Sequence, residues 1–224
     1  MKVSLIMPRL EVNPYGNFNV MPLGLVILAT ELKTEGYDVR VYDELRGDVF
    51  NSKTREVKNE ILESDVVGVS VISPNANRTE DFLRALKRQK PEIRTLAGGP
   101  HVLDREEAER FVEDLGVNVV VRKEAENVIV PVVEGGLEGI VDGTHVEDLD
   151  TLPIPDFSLV HGYDRKSIYD RIFGGVVPIA TARGCPRGCF FCGVSEKDGR
   201  AVRVMSAGKV EEIIRKLHSQ GSRI

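Results

Sequence analysis

Asp65-Val-Val-Gly-Val-Ser-Val-Ile-Ser-Pro-Asn-Ala-Asn-Arg-Thr-Glu-Asp-Phe-Leu-Arg-Ala-Leu-Lys-Arg-Gln-Lys-Pro-Glu-Ile-Arg-Thr-Leu-Ala-Gly-Gly-Pro-His101 sets two short strand-like runs, residues 66–71 and 94–97, on either side of an amphipathic helical stretch, residues 79–90. A strand, a crossover helix and a second strand imply parallel pairing with a right-handed connection. The pattern recurs on both sides of this unit. Further strands are expected at residues 3–7, 39–42 and 118–121, and helices at 24–35, 54–62, 105–115 and 127–134. The expected fold is therefore α/β: a doubly wound parallel sheet of Rossmann-like or flavodoxin-like type. Asp104 followed by Glu107 is a cap pair at a helix start, and Gly36 and Gly116 stand where helices end.

In such sheets ligands bind outside the carboxyl ends of the strands, where strand order reverses. Three loops are placed there: residues 8–22, which contain Asn13-Pro-Tyr-Gly-Asn-Phe-Asn19, then Ser70-Val-Ile-Ser-Pro-Asn-Ala-Asn77, then Gly98-Gly-Pro-His101. Glycine at 98 and 99 lets backbone approach a ligand, and the helix starts after Asn77 and Asp104 offer amides to a phosphate. Each loop taken singly also reads as an ordinary connection, because turns are rich in these residue types.

The three cysteines of the chain all fall in Arg183-Gly-Cys-Pro-Arg-Gly-Cys-Phe-Phe-Cys192. This CxxxCxxC spacing lets Cys185, Cys189 and Cys192 converge on one iron-sulfur cube whose fourth iron has no protein ligand and is open to a small molecule. A zinc site would need a fourth ligand such as His161 or His218, neither at finger spacing. A disulfide would leave an odd thiol and imply an oxidising compartment, for which the N-terminus offers no signal peptide. A reduced, cytoplasmic setting is expected. Only the small run Lys87-Arg-Gln-Lys90 is basic, and it reads as a solvated helix face; the net charge of −5 argues against nucleic acid as main partner. No apolar run is long enough to cross a membrane, so no membrane partner is expected.

The cysteine run, with Arg183, Gly184, Pro186 and Phe191 in place and a strand end expected at residues 179–181, resembles the radical S-adenosylmethionine (radical SAM) superfamily. That resemblance implies a 4Fe-4S cluster on Cys185, Cys189 and Cys192, S-adenosylmethionine (SAM) on the open iron, and reductive cleavage of its sulfonium with electrons from a flavodoxin or ferredoxin. The N-terminal part resembles the cobalamin-binding domain that precedes the barrel in one class of these enzymes. The matching pieces are Met21-Pro-Leu-Gly-Leu25 with Gly36-Tyr-Asp-Val39, Gly68-Val-Ser70 with Ser73, Ala97-Gly-Gly-Pro-His101, and the linker Leu149-Asp-Thr-Leu-Pro-Ile-Pro-Asp-Phe157. The resemblance assigns cofactor contacts to Ser70, Ser73, Asn75, Gly98, Gly99, Pro100, His101, Glu124 and Phe191, with the nucleotide tail of cobalamin in the switch-point crevice.

Two departures stand out. Arg122-Lys-Glu-Ala-Glu126 replaces a Gly-Glu-Gly-Glu turn, which is expected to reshape that loop and weaken cobalamin binding where positive φ is needed. The signature Asp-x-His-x-x-Gly is absent, so His101 is read as a loop or nucleotide-tail contact rather than a cobalt ligand, and the other histidines as surface residues. The expected division is a Rossmann-like domain at 1–142, a linker at 143–175, and the start of a radical SAM domain at 176–224 with its first strand-helix unit. Only 32 residues follow Cys192, one helix at 207–219 among them, so the chain is expected to be an N-terminal piece of a longer protein and inactive alone. Methyl transfer to, or rearrangement of, an unreactive carbon is the expected reaction, on a small-molecule or unknown substrate. A non-catalytic cobalamin or nucleotide-like binding module, and a radical SAM enzyme whose N-terminal domain has lost cobalamin, remain open as alternatives.

Overall fold

The computed structural model describes residues 1–10, 20–163 and 177–220. The loop at 11–19, residues 164–176 and the last four residues lie outside the described residues. In chain order the elements are β1 (Lys2–Met7), α1 (Leu23–Thr34), β2 (Asp38–Asp43), β3 (Phe50–Asn51), β4 (Glu56–Val57), α2 (Asn59–Leu62), β5 (Val66–Ser70), α3 (Ala76–Gln89), β6 (Arg94–Gly98), α4 (Arg105–Glu113), β7 (Val119–Arg122), α5 (Ile129–Glu134), β8 (Gly139–Asp142), β9 (Ala182–Arg183), α6 (Val194–Lys197), β10 (Arg203–Val204) and α7 (Ala207–Ser219).

Six strands form one sheet in the order β2-β1-β5-β6-β7-β8, and every pair in it is parallel. The direction of strand order reverses between β1 and β5, the topological switch point. Alternate residues of these strands feed two apolar layers. On one face Ile6, Val67, Val69, Ala97 and Val120 pack with Phe82, Leu83 and Leu86 of α3 and Phe111 of α4. On the other, Val3, Leu5, Leu96, Val119 and Val121 pack with Val26, Ala29 and Leu32 of α1 and Val132 of α5. The doubly wound α/β fold expected from the sequence is present. Helix ends follow the expected chemistry: Asp104 Oδ1 accepts from the Glu107 amide at 3.1 Å, and Gly36 and Gly116 take φ of 90° and 65° beyond α1 and α4.

Three expectations change. The helix at 54–62 is instead a hairpin, β3–β4, followed by the one-turn α2. Asn51 Oδ1 accepts from the Lys53 and Thr54 amides, Arg55 adopts φ 60°, and Phe50 and Val57 turn into the core, so a side-chain-closed turn displaces the helix. A sixth strand, β8, extends the sheet beyond β7; its Gly-Ile-Val-Asp is too short to show periodicity. The basic run on α3 is also more than a solvated face. Lys87 Nζ donates to Ile93 O and Asn118 Oδ1, and Lys90 Nζ to Leu62 O and Ser64 O, tying together the ends of strands and loops.

After β8 the chain crosses the α1 side. The Asp156 amide donates to Thr30 Oγ1 at 2.9 Å, the His161 amide donates to Val41 O at 2.7 Å, and Phe157 and Leu159 join the α1-side core. The C-terminal helix α7 is capped by Ser206, whose hydroxyl accepts from the Lys209 amide, and it buries Ile213 and Leu217 in the same layer. Between them stands the cysteine segment. Its β9 is shifted from the strand end expected at 179–181 to Ala182–Arg183, and it pairs antiparallel with β10. No helix among the described residues is long and apolar enough to cross a membrane.

Candidate functional site

A cavity of about 410 Å³ opens over the carboxyl ends of β1, β5, β6 and β7 on the α1 side. Its floor includes Leu5, Gly68, Ser70, Leu96 and Gly98, and Leu23, Leu25, Ile27 and Leu28 of α1 supply an apolar wall. The remaining walls are the β7–α5 turn, Lys123 to Glu126, and the cysteine segment through Ala180, Ala182, Arg183, Lys197 and Asp198. It thus sits at the switch point, where a doubly wound sheet binds ligands.

Backbone shape here is set by glycine. Gly99 takes φ 110° and ψ 174°, a region that side chains with a Cβ avoid, and a Cβ on it would stand 2.5 Å from Val71 O. That close approach accompanies hydrogen bonds from the Val71 amide to Gly98 O at 2.7 Å and from the His101 amide to Val71 O at 3.1 Å. The turn after β7 also uses positive φ: Lys123 sits at φ 65°, where the expected glycine would have been, whereas Ala125 does not take positive φ.

Of the residues assigned to cofactor contact, Ser70, Gly98, Gly99, Pro100 and Glu124 line the cavity; Ser73, Asn75, His101 and Phe191 do not. Asn75 is fully buried, with its Oδ1 accepting from the Ile72 amide and its Nδ2 donating to Pro8 O and Ser70 O, so its amide group holds the β1 and β5 loops together. Ser73 Oγ and His101 Nδ1 lie 3.3 Å apart, and the His101 ring meets Phe111 edge-on.

Glu124 is a cavity-wall residue whose carboxylate is engaged by protein groups. It accepts from the Val146 amide at 2.8 Å, from Arg183 Nη1 at 3.0 Å and from both terminal nitrogens of Arg203. Burial alone would raise its pKa, but the Arg203 bonds, the Val146 amide and the Arg183 charge outweigh it and hold the carboxyl down at about 2. Arg183 Nη2 reaches Glu126 Oε1 at 2.5 Å. Glu31 on α1 is the counter-case: burial, with Glu126 and Glu35 adding like charge, raises its carboxyl to about 7. Arg203 belongs to no motif and lies 79 residues from Glu124, and Arg183, although it opens the cysteine run, carries no local sign of its carboxylate partners.

The cysteines are free thiols, with Cys185 half-buried and Cys189 and Cys192 exposed. The Cys185 amide donates to Gly199 O and the Cys192 amide to Cys189 O, both at 3.0 Å. Among the described residues no three His, Cys, Asp or Glu side chains come together as a metal-holding group. Convergence of the thiols, which the spacing allows, is not part of this arrangement, although three soft sulfur donors within one short loop are the right chemistry for iron-sulfur ligation. Phe190 and Phe191 stack edge to face beside them and are open to solvent.

Comparison with known proteins accords with this geometry. An uncharacterized methyltransferase of Pyrococcus horikoshii is 27% identical over 240 residues, covering 97% of this chain and 50% of its own length. The anaerobic magnesium-protoporphyrin IX monomethyl ester cyclase of Rubrivivax gelatinosus is 31% identical over 230 residues, covering 91% of this chain and 40% of its own. The chain therefore spans half or less of these relatives. Among solved structures, the radical S-adenosylmethionine methyltransferase TsrM from Kitasatospora setae, with tryptophan substrate and a SAM analogue bound, superposes with a TM-score of 0.70 at 21% identity, over 99% of this chain and 46% of that one, which is a likeness of fold. The family model for the B12 binding domain matches residues 16–133, and by that match over more than half of its length the chain belongs to the B12-binding domain family.

Proposed function

We propose that this chain is the cobalamin-binding and cluster-bearing portion of a radical SAM enzyme that modifies an unreactive carbon. The observation that carries the reading is the shared cavity: a switch-point crevice lined by Gly98, Gly99 and the β7–α5 turn has the cysteine segment as its facing wall. A cavity of about 410 Å³ suits a nucleotide tail, and the larger corrin would have to lie outside it. Ser70, the Gly98-Gly99-Pro100 backbone and the apolar face of α1 would hold that tail. Cys185, Cys189 and Cys192 would ligate a 4Fe-4S cluster, which would supply the electron for SAM cleavage, with a flavodoxin- or ferredoxin-like protein as the electron donor. The P. horikoshii relative is described as a methyltransferase, which favours methyl transfer as the reaction class.

The test has two arms. Equilibrium dialysis should show saturable binding of hydroxocobalamin that is lost in Gly99→Val; absence of binding by wild type would leave a Rossmann scaffold without cobalamin. Anaerobic reconstitution with iron and sulfide should load a four-iron cluster, seen by EPR, and lose it in Cys189→Ala. Equal iron in that variant would overturn the ligand assignment.

A further inference from the structure

The cysteine segment touches the sheet domain chiefly through charge. Phe190, Phe191, Val194, Val202 and Val204 are exposed, so apolar burial between residues 182 and 204 is slight. Against this, the Glu124 side chain is 1% exposed, that of Arg203 8%, and those of Glu126 and Arg183 8% and 14%. Arg183 immediately precedes Gly184-Cys185, and Arg203 is its partner across β9–β10. Arg203 also donates to Val146 O at 2.5 Å and Asp198 O at 2.7 Å, so a single guanidinium joins the β7–α5 turn, the loop after β8 and the end of the cysteine loop. Gly143 keeps the arrangement close, since a Cβ there would collide with the Glu124 carbonyl.

We infer that Glu124 is a positioning residue: together with Glu126 it clasps Arg183 and Arg203, and this clasp sets where the cysteine loop stands relative to the switch-point cavity. Two carboxylates face two guanidiniums, so the charges balance within the buried cluster. Removing one member leaves an uncompensated buried charge, a large penalty compared with the weak apolar hold of the segment. The planar fork of arginine satisfies two carboxylate oxygens and two carbonyls at once, which a lysine ammonium does not reproduce. Bearing on a bound cluster rests on the function proposed above; the clasp itself does not.

The experiment is hydrogen exchange by mass spectrometry on the whole metal-free chain, comparing wild type, Glu124→Gln and Arg203→Lys. Amides in peptides covering 182–204, including that of Cys185, should exchange on the order of tenfold faster in Glu124→Gln, while peptides of β1, β5 and β6 change little, as expected for local rather than global opening. Arg203→Lys should fall between. Alkylation of Cys185 should accelerate in parallel, with Cys189 and Cys192 unchanged because they are already exposed. Unchanged exchange at 182–204, or equal loosening throughout the chain, would overturn the clasp. Iron counting and EPR of the reconstituted proteins separate the two proposals. If wild type takes up no cluster but Glu124→Gln still loosens 182–204, the cluster assignment fails and the clasp stands. If wild type holds a cluster and exchange at 182–204 is the same in the variant, the clasp fails and the cluster assignment stands.

Discussion

The sheet domain and the cysteine segment are held by different forces. In the first, parallel strands bury apolar side chains on both faces under four helices, and Phe82 and Phe111 are almost completely hidden. In the second, β9 and β10 have two residues each, Phe190 is fully exposed, and attachment runs through Glu124, Glu126, Arg183 and Arg203. Dispersion and hydrophobic burial tolerate changes of pH and salt; a buried ionic clasp is directional and depends on ionisation. The chain thus pairs a cavity floor packed by apolar burial with a facing wall held by charge.

The strongest test of this contrast compares phenylalanines. Phe82→Ala should cost about 3–5 kcal/mol in urea unfolding, because it opens a cavity in a packed layer. Phe190→Ala should stay within about 0.5 kcal/mol. A comparable cost for both would show that the cysteine segment is packed after all. Acid should release that segment first. The Glu124 carboxyl is held at about 2 against an ordinary value of 4.5, so its contribution is complete above about pH 4.5 and is lost as pH falls toward 2. With the side chain buried this amounts to about 3 kcal/mol. Its neighbours in that titration are Arg183, Arg203, Glu126 and, on α1, Glu31. Proteolysis within 182–204 should therefore begin at a higher pH than loss of far-UV circular dichroism; simultaneous loss would refute the separation.

Much of the sheet was legible because its physics is periodic: short apolar runs, amphipathic connections and caps such as Asp104 are local signals. The hairpin at β3–β4 departs from the expected helix because a side-chain turn at Asn51 overrides helical patterning over a few residues, and β8 leaves no local signal because four edge residues carry no period. The site was legible in part. Gly98, Gly99, Pro100 and Ser70 could be placed by the rule that ligands gather at strand ends, but the use of Glu124 could not, since its arginines come from 59 and 79 residues downstream. Long-range ion pairs leave no mark on local sequence.

Gly99→Ala should cost about 2 kcal/mol and reduce hydroxocobalamin binding, because the backbone occupies a glycine-only region and a Cβ would press on Val71 O. Differential scanning calorimetry with dialysis checks both; an unaffected melt would mean the loop moves freely. Glu31→Gln is smaller and of opposite sign. A carboxyl raised to about 7 loses stability as pH rises from about 4.5 through 7, so the glutamine should gain about 1 kcal/mol at pH 8, after allowance for solvent screening, and nothing at pH 4. Urea titrations at the two pH values decide it, and an equal effect at both would place Glu31 in solvent.

The smallest effect is the most discriminating for the β7–α5 turn, where the two domains of force meet. Lys123 occupies φ 65° and so carries the strain of a side chain in the left-handed region, whereas Ala125 does not take positive φ and packs against the α1-side core. Placing glycine at the two positions is therefore not one operation but two opposed ones. Lys123→Gly should stabilise by about 0.5 kcal/mol, the relief of left-handed strain being offset in part by greater freedom of the unfolded chain and by loss of the weak approach of Lys123 to Asp142. Ala125→Gly should destabilise by about 0.5–1 kcal/mol, because it adds unfolded-state entropy without relieving strain and removes a packed methyl. Paired urea melts read the signs directly. If both substitutions stabilise, both residues are strained and the turn adopts the doubly glycine-shaped path that Arg122-Lys-Glu-Ala-Glu126 otherwise resists; if Lys123→Gly destabilises, its contact with Asp142 outweighs the backbone, and the turn is held by charge like the wall it supports.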